Sequence, residues 1–329
     1  MSGITLVTGS AGHLGEALVR ALRAAGRPTR GVDLLASPCT DVVGTITDPA
    51  VVERCMDGAV DVVHAATLHK PHVATHSRQQ FVDTNITGTL TLLDAAVRAR
   101  VRSFVFTSTT SAFGAALTPP TGAPAAWITE DVAPVPKNIY GVTKVAAEDL
   151  CQLAHRNQGL ACLILRTSRF FPDADDDPAK RAAHTDANLK VNEFLHRRLD
   201  VEDVVSAHLC ALDRAPALGF GRYIVSATTP LRRDDAALLR SDAPAAVRRR
   251  VPGWEAAYAQ LGWRMAPSID RVYDNSRARA EFGWQPRHDF AGVLARARDT
   301  GDHRSPLARE IGVKGYHPDG IYPFLPGAV

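Results

Sequence analysis

A glycine-rich turn near the N-terminus constrains the fold of this chain more than any other feature. A short apolar run at residues 4–7 leads into the sequence Thr-Gly-Ser-Ala-Gly-His-Leu-Gly, and apolar residues then recur at helical spacing as far as residue 25. Glycine lets the backbone turn tightly after a strand and approach a phosphate group at a helix N-terminus. The three glycines of this turn are Gly9, Gly12 and Gly15. This strand–turn–helix order predicts the first unit of a dinucleotide-binding fold.

The pattern of the next 150 or so residues supports the same fold. Short apolar runs predict further strands at residues 30–33, 60–64, 104–107 and 162–166. Helical patterns lie between them at residues 82–100 and 140–157. Alternating strands and helices are typical of a parallel sheet that is covered by helices on both faces. We therefore predict a Rossmann-type, doubly wound α/β fold.

The length of the chain, 329 residues, favours two lobes over one core. After residue 168 the sequence contains more prolines and an acidic run at residues 173–177, and we expect mainly loops and short helices there. We predict an NAD-binding Rossmann domain at residues 1–168, to which residues 200–228 return with one more strand. Residues 169–199 and 229–329 are predicted to form a smaller, discontinuous substrate lobe.

Composition argues against several classes of function. The formal net charge is only +3 and the basic residues are dispersed, so we expect no nucleic-acid or membrane partner. We find no signal peptide and no apolar run near the ~18 residues that span a bilayer. Five cysteines without C-x-x-C spacing predict neither a disulfide framework nor a cysteine metal site. We expect a cytoplasmic protein with reduced thiols and no bound metal.

An acidic residue follows the glycine turn at the spacing of a dinucleotide site. Asp33 ends the second predicted strand, about 20 residues after the turn. A carboxylate there can accept hydrogen bonds from both ribose hydroxyls of the adenosine, and it repels a 2′-phosphate. No arginine follows Asp33 directly. We therefore predict NAD rather than NADP as the cofactor.

A tyrosine and a lysine one helical turn apart are the candidate catalytic groups. Tyr140 and Lys144 open the helix predicted at residues 140–157, and residues at i and i+4 share one helical face. A free phenol has a pKa of about 10, and a nearby ammonium should lower the pKa of Tyr140 so that it can take a proton. A hydroxyl from the preceding strand would hold the substrate oxygen. The candidates left open by the pattern are Ser108, Thr109, Thr110 and Ser111.

Together these residues resemble the extended short-chain dehydrogenases/reductases, in their NAD-dependent epimerase/dehydratase branch. The resemblance covers residues 1–215 well and returns weakly near Phe282-Gly-Trp-Gln-Pro286. It implies a Rossmann lobe with a small substrate lobe, NAD as cofactor and a homodimer. The position of Phe113-Gly114 implies that Thr109 is the catalytic hydroxyl beside Tyr140 and Lys144.

The resemblance also implies cofactor contacts. Thr45 stands where the family usually has an aspartate near adenine, and Ile46 follows it with a backbone N–H. The other implied contacts, besides the three glycines, Asp33, Tyr140 and Lys144, are His13, Leu14, Ala65, Ala66, Thr67, Asn85, Thr107 and Arg166.

The positions implied to contact substrate depart from the usual pattern. Arg169 replaces an asparagine of sugar-nucleotide enzymes, and it can either bind a carboxylate or phosphate or pair with the acidic run. Thr110 and Ser111 stand where 4,6-dehydratases carry an Asp-Glu pair, which argues against that elimination. The implied substrate contacts are His69, Ser111, Arg169, Lys190, Asn192 and Arg198.

The expected reaction is 4-epimerisation of a sugar or nucleotide sugar through a transient keto intermediate, with NAD recycled. An alternative on the same residues is a sugar or sugar-acid dehydrogenase that releases NADH. An alternative of another class is a sensor or scaffold that binds NAD without turnover. The intact set of Thr109, Tyr140 and Lys144 argues against that last alternative.

Overall fold

A parallel sheet of seven strands forms the centre of the molecule in the computed structural model, which describes residues 3–175 and 177–314. The strands are β1 (Ile4–Thr8), β2 (Thr29–Asp33), β3 (Val42–Val43), β4 (Ala59–His64), β5 (Ser103–Thr109), β6 (Ala126–Ile128), β7 (Cys162–Thr167), β8 (Phe220–Val225) and β9 (Arg271–Tyr273). The order in the large sheet is β3-β2-β1-β4-β5-β7-β8, while β6 pairs with β9 in a small sheet. The sheet reverses its strand order between β1 and β4, which is where such folds bind ligands.

Helices cover both faces of the large sheet. They are α1 (His13–Ala24), α2 (Pro49–Met56), α3 (Arg78–Val82), α4 (Gly88–Arg98), α5 (Ile139–Gln158), α6 (Pro178–Ala183), α7 (Asp186–Phe194), α8 (Val201–Leu218), α9 (Ala236–Ser241), α10 (Ala243–Arg250), α11 (Trp254–Leu261), α12 (Ser276–Phe282), α13 (Phe290–Thr300) and α14 (Pro306–Ile311). Helices α1 and α8 pack on one face, and α2, α4 and α5 pack together on the other. The predicted doubly wound fold is confirmed.

The ends of α5 explain where the candidate catalytic residues lie. The side chain of Asn138 accepts a hydrogen bond from the Gly141 N–H and caps the N-terminus. Gly159, at φ +72°, ends the helix in the left-handed conformation. Tyr140 and Lys144 therefore occupy the first turns of α5, beside the carboxyl end of β5.

Helix α8 corrects the expectation of mainly loops and short helices after residue 168. It has 18 residues and is capped by Asp200, whose side chain accepts the Glu202 N–H. Its buried positions, which include Val204, His208 and Ala211, recur at helical spacing and face β5 and α1. The helix predicted at residues 82–100 also begins earlier, as α3, and joins α4 through a single π turn at Asp83–Thr87.

The apolar core on the α1 face continues into the region after residue 228. It includes Leu18 and Val204 beside the sheet together with Trp284, Phe290 and Val293. The domain boundaries stay a prediction. Within the described ranges, no helix has both the length and the apolar character that crossing a membrane requires.

Candidate active site

A cleft of about 990 Å³ opens at the carboxyl edge of the large sheet. The sequence-predicted residues that line it are Gly9, Gly12, His13, Leu14, Gly15, Asp33, Thr45, Ile46, Ala65, Ala66, Thr67, His69, Thr107, Thr109, Ser111, Tyr140, Arg169, Lys190 and Arg198. Four other predicted residues, Asn85, Lys144, Arg166 and Asn192, are buried behind its walls. The fold thus gathers residues from six strand ends and from α1, α5 and α7 around one space large enough for a cofactor and a small substrate.

The glycine turn lies so close to neighbouring backbone that Gly9 and Gly15 have no room for a side chain. Gly9 has φ +72°, and a Cβ atom there would lie 2.8 Å from the backbone nitrogen of Ala66. A Cβ on Gly15 would lie 1.9 Å from the carbonyl oxygen of Gly9. Gly12 precedes α1 without a side-chain cap, so the first N–H groups of the helix can meet an anion.

The first residue of α1, His13, is buried between the turn and a later segment of the chain. Its Nε2 accepts a hydrogen bond from the backbone N–H of Lys314 at 3.2 Å. Burial lowers the pKa of His13 to about 3, so the ring is neutral. The ammonium of Lys314, which pairs with Glu16, also lines the cleft, a role that no local sequence signal indicates.

Asp33 lies at the end of β2 with its carboxylate on the cleft. One oxygen accepts the Ala11 N–H and the other accepts the Leu35 N–H, each at 3.0 Å. These bonds fix the plane of the carboxylate and leave a lone pair on each oxygen. That geometry suits two ribose hydroxyls. Together with the glycine cradle, it shows that the residues present fit NAD.

Thr109, Tyr140 and Lys144 come together at the end of β5. Thr109 and Tyr140 both line the cleft, and the Thr109 hydroxyl lies close enough to the Tyr140 phenol to lower its pKa. The ammonium of Lys144 lies behind them, 3.9 Å from the ring centroid of Phe106. The trio can therefore present two hydroxyl groups to a substrate alcohol, with a cation one helical turn away.

The pKa of Tyr140 differs from the sequence-based expectation. Burial raises it to about 12, and the hydrogen bond with Thr109 opposes this rise. Burial also lowers the pKa of Lys144 to about 7, against the negative charge of Glu148. Sequence spacing predicted an ammonium beside the phenol, but only the tertiary structure shows that both groups lose solvation.

Glu148 is a residue that the sequence analysis missed. It lies one further turn along α5 from Lys144 and is fully buried. Its carboxylate accepts hydrogen bonds from Ser108 at 2.5 Å and from Arg166 at 2.7 Å. Arg166, predicted as a cofactor contact, is thus placed in an ion pair behind the wall. The i+4 spacing from Lys144 was the available signal, because Tyr140, Lys144 and Glu148 share one helical face.

Asn85 also acts from behind the wall. Its amide oxygen accepts the Leu68 N–H and the Thr67 hydroxyl, at 2.8 and 2.9 Å. Its amide nitrogen donates to the Leu68 carbonyl and to the Thr143 hydroxyl on α5. Asn85 therefore holds the loop after β4 against the catalytic helix, so that Thr67 lines the cleft.

The far wall of the cleft is built around one buried carboxylate, Glu193 on α7. Arg169 and Arg198 each donate to it at 3.0 Å, and Arg197 forms an ion pair with it at 2.8 Å. Burial alone would raise the pKa of Glu193, but the three guanidinium groups hold it well below its usual range. Arg169 also pairs with Asp175, so the ion pair with the acidic run is present. Arg169 still lines the cleft.

Other predicted substrate residues have mixed positions. Lys190 donates to Asp186 and to the carbonyl of Pro172, and it lines the cleft. Asn192 instead accepts the Tyr258 hydroxyl at 2.7 Å, away from the cleft. The ring of His69 stacks on Phe171 at a centroid distance of 5.3 Å. Some residues predicted to contact the substrate are therefore held in contacts within the cleft wall.

One group of ligand-type side chains is close enough to hold a metal ion within residues 3–175 and 177–314, namely Asp200, Glu202 and His288. Arg296 donates to Nδ1 of His288 at 2.8 Å, so Nε2 carries the proton and donates to Glu202. Asp200 accepts the hydroxyl of Ser305 at 2.6 Å. Hydrogen bonds between α8 and the C-terminal region thus already use these ligand atoms.

The match to a family model defines the class of this protein. The model of the NAD-dependent epimerase/dehydratase family matches residues 5–225, and the chain belongs to this family. The resemblance to extended short-chain dehydrogenases/reductases and the prediction of NAD are confirmed. The protein is an enzyme, an NAD-dependent epimerase or dehydrogenase.

Full-length relatives show how varied the substrates of similar chains are. A UDP-glucose 4-epimerase of Azospirillum brasilense is 27% identical, over 89% of this chain and 90% of that protein. A 3 beta-hydroxysteroid dehydrogenase/Delta 5→4-isomerase of Mycobacterium tuberculosis is 26% identical, over 86% of both chains. A short-chain dehydrogenase/reductase from Agrobacterium tumefaciens, solved with bound NAD, has a TM-score of 0.65 at 24% identity and covers 93% of this chain and 97% of its own. This structure supports the fold.

Proposed function

We propose that this enzyme epimerises a secondary alcohol of a sugar or nucleotide sugar, at the 4-position, through a transient keto intermediate. The observation that carries the proposal is that Thr109 and Tyr140 lie together on the cleft, with Lys144 one helical turn behind. The similarity to a UDP-glucose 4-epimerase over 89% of the chain supports the choice of substrate class.

In this proposal Tyr140 takes the proton of the substrate hydroxyl, and Thr109 orients the oxygen. Bound NAD supplies the hydride acceptor and a positive charge. A free phenol is already protonated at neutral pH, and burial raises the pKa of Tyr140 further. Its phenolate therefore needs cationic stabilisation, and Lys144 is the cation placed to give it. The glycine turn and Asp33 would hold the cofactor, while Arg169, Lys190 and Arg198 would face the substrate.

The test is a panel of nucleotide sugars, uronic acids and free sugars incubated with the purified protein. NMR detects an epimer, and absorbance detects NADH. An epimer without net NADH supports the proposal, whereas stoichiometric NADH release identifies a dehydrogenase and overturns the epimerase assignment. Stable NAD binding with no turnover of any panel member would favour a sensor or scaffold.

Tyr140→Phe is the matched variant for that test. It keeps the ring and removes the one oxygen that transfers the proton, so turnover should fall by about 10²–10⁴-fold. NAD binding, measured by calorimetry, should change far less. Turnover that survived this substitution unchanged would refute the role of Tyr140.

The homodimer implied by the family resemblance stays a prediction. Leu90 on α4 and Val142 and Leu153 on α5 expose apolar side chains on neighbouring helices. Light scattering after size-exclusion chromatography measures the mass in solution. A charged residue at Leu153 should yield a monomer if these helices form the interface.

A further inference from the structure

A histidine that the catalytic scheme leaves unused lies at the junction of the cofactor walls. His64 ends β4 and is almost fully buried. Its Nδ1 lies 2.8 Å from the hydroxyl of Thr8, and its Nε2 lies 2.9 Å from the hydroxyl of Thr89. Thr8 is the residue before the glycine turn, and Thr89 is on α4.

The direction of these hydrogen bonds is set by the backbone carbonyl of Asn85, at the end of the hydrogen-bonded chain. Thr89 lies 2.7 Å from the backbone carbonyl of Asn85, which can only accept, so the Thr89 hydroxyl donates there. The oxygen of Thr89 must then accept from Nε2 of His64. The Thr8 oxygen already accepts two backbone N–H groups and has no lone pair left, so Thr8 donates to Nδ1, which carries no proton. Burial lowers the pKa of His64 well below its usual value, which agrees with a neutral ring.

This direction determines what Thr8 can do. Having donated its proton to His64, its oxygen accepts the backbone N–H groups of Ala65 and Ala66, at 3.1 and 3.0 Å. Ala66 is also the residue that approaches Gly9 so closely that a Cβ atom would clash. The glycine turn and the Ala65–Ala66 segment are therefore held together by one oriented hydroxyl.

A second set of hydrogen bonds leads from the side chain of the same residue, Asn85, to the catalytic helix. The side chain of Asn85 donates to the hydroxyl of Thr143 at 3.0 Å. Thr143 lies between Tyr140 and Lys144 and donates to the carbonyl of Ile139 at 2.9 Å. The first set runs from the Ala65 and Ala66 amides to the backbone carbonyl of Asn85, and the second runs from the side chain of Asn85 to α5.

We propose that His64 is a positioning residue for the cofactor: its neutral ring orients Thr8, and thereby fixes the glycine turn against Ala65 and Ala66 at the spacing that NAD binding requires. A side chain at position 64 without a hydrogen-bond acceptor would leave the Thr8 hydroxyl free to rotate. The glycine turn and the Ala65–Ala66 segment would then be free to move apart. The inference concerns NAD binding alone and is independent of which alcohol the enzyme oxidises.

Calorimetric titration of NAD into nucleotide-free protein, without substrate, tests this role. His64→Leu should weaken NAD binding by at least about tenfold, as expected for a lost buried hydrogen bond that preorganises a site. His64→Asn, whose amide oxygen can replace Nδ1 as acceptor for Thr8, should recover part of the affinity. Thr8→Val should reproduce the loss, and Thr8→Ser, which keeps the hydroxyl, should not.

Ser103→Ala is the control for a loss of stability alone. Ser103 begins β5 at the opposite edge of the sheet, is equally buried, and donates to the Leu212 carbonyl at 2.8 Å. Its substitution should lower the melting temperature and leave the Kd for NAD unchanged. The proposal is overturned if Ser103→Ala weakens NAD binding as much as His64→Leu does, or if folded His64→Leu and Thr8→Val bind NAD as tightly as the wild type. If His64→Leu does not fold, the Kd values of Thr8→Val and Thr8→Ser for NAD test the proposal in its place.

Discussion

The two ends of the cleft are stabilised by different kinds of polar network. Behind the cofactor end, Thr8, His64, Thr89 and Asn85 form a chain of neutral groups in which each proton has a fixed direction. At the substrate end, three arginines share the carboxylate of Glu193. A neutral chain is satisfied in one geometry only, whereas charges attract over longer distances and tolerate exchange of partners. The difference suggests a rigid site for one constant cofactor and an adaptable wall for the substrate.

Removing the central charge of the substrate wall should have the largest effect. Glu193→Gln keeps the shape of the side chain but leaves Arg169, Arg197 and Arg198 without their shared anion. The free energy of unfolding should fall by about 3–5 kcal/mol, as for other broken buried ion pairs. Urea denaturation measures the change.

The exposed pair of Glu53 and Arg98 provides the control. Glu53→Gln makes the same chemical change at the surface and should cost under about 1 kcal/mol. Equal effects of the two substitutions would contradict the view that Glu193 organises its wall.

Adding a charge to the neutral network is the converse change. Asn85→Asp removes the amide N–H groups that donate to the Leu68 carbonyl and to the Thr143 hydroxyl. A negatively charged carboxylate oxygen then faces these two oxygen atoms. We expect a loss of about 2–3 kcal/mol at neutral pH. The loss should shrink as the pH falls, because a protonated aspartate can donate again.

Unfolding curves of wild type and Asn85→Asp at several pH values measure this effect. Asn157→Asp, at the exposed end of α5, is the control and should change stability little. A loss at Asn85 that stayed constant with pH would mean that charge is not its cause.

The smallest expected effect concerns a second neutral histidine beside the cofactor end. His208 donates from Nδ1 to the Val204 carbonyl and accepts the Thr107 hydroxyl, and burial lowers its pKa from 6.5 to about 4. Below pH 6.5 the unfolded chain binds a proton at His208 that the folded chain does not bind. The contribution of His208 to the free energy of unfolding therefore decreases as the pH is lowered. The expected slope is about 1 kcal/mol per pH unit between pH 6.5 and pH 4.

His208→Gln should remove this part of the pH dependence. The difference in unfolding free energy between wild type and variant is measured from pH 7 to pH 5. A difference that did not vary with pH would show that His208 is protonated in the folded protein as readily as in the unfolded chain.

Sequence reasoning reached the residues whose role depends on local spacing. Gly9, Asp33 and the Tyr140/Lys144 pair are set by turns and by the i, i+4 period of a helix. The structure brings Gly9, Asp33 and Tyr140 to one cleft, with Lys144 buried behind Tyr140. Local spacing did not indicate which residues lie behind the cleft wall. Asn85 and Arg166 were predicted as cofactor contacts by position, yet the structure places both away from the cleft surface.

Helix α8 shows a different limit. The prolines scattered after residue 168 favoured a prediction of loops and short helices, but Pro216 lies inside the last turn of this helix of 18 residues. Packing against α1 and the sheet supplies the stability that local propensity lacks.

By itself, the sequence determined the parallel α/β order, the glycine turn, the preference for NAD and the candidate trio, because each depends on neighbours within a few residues or on strand–helix alternation. The tertiary structure alone decided the protonation of that trio and the partners of its supporting residues. Burial raises the pKa of Tyr140 and lowers that of Lys144. Solvation is lost only when distant segments pack together, so no local pattern can report it.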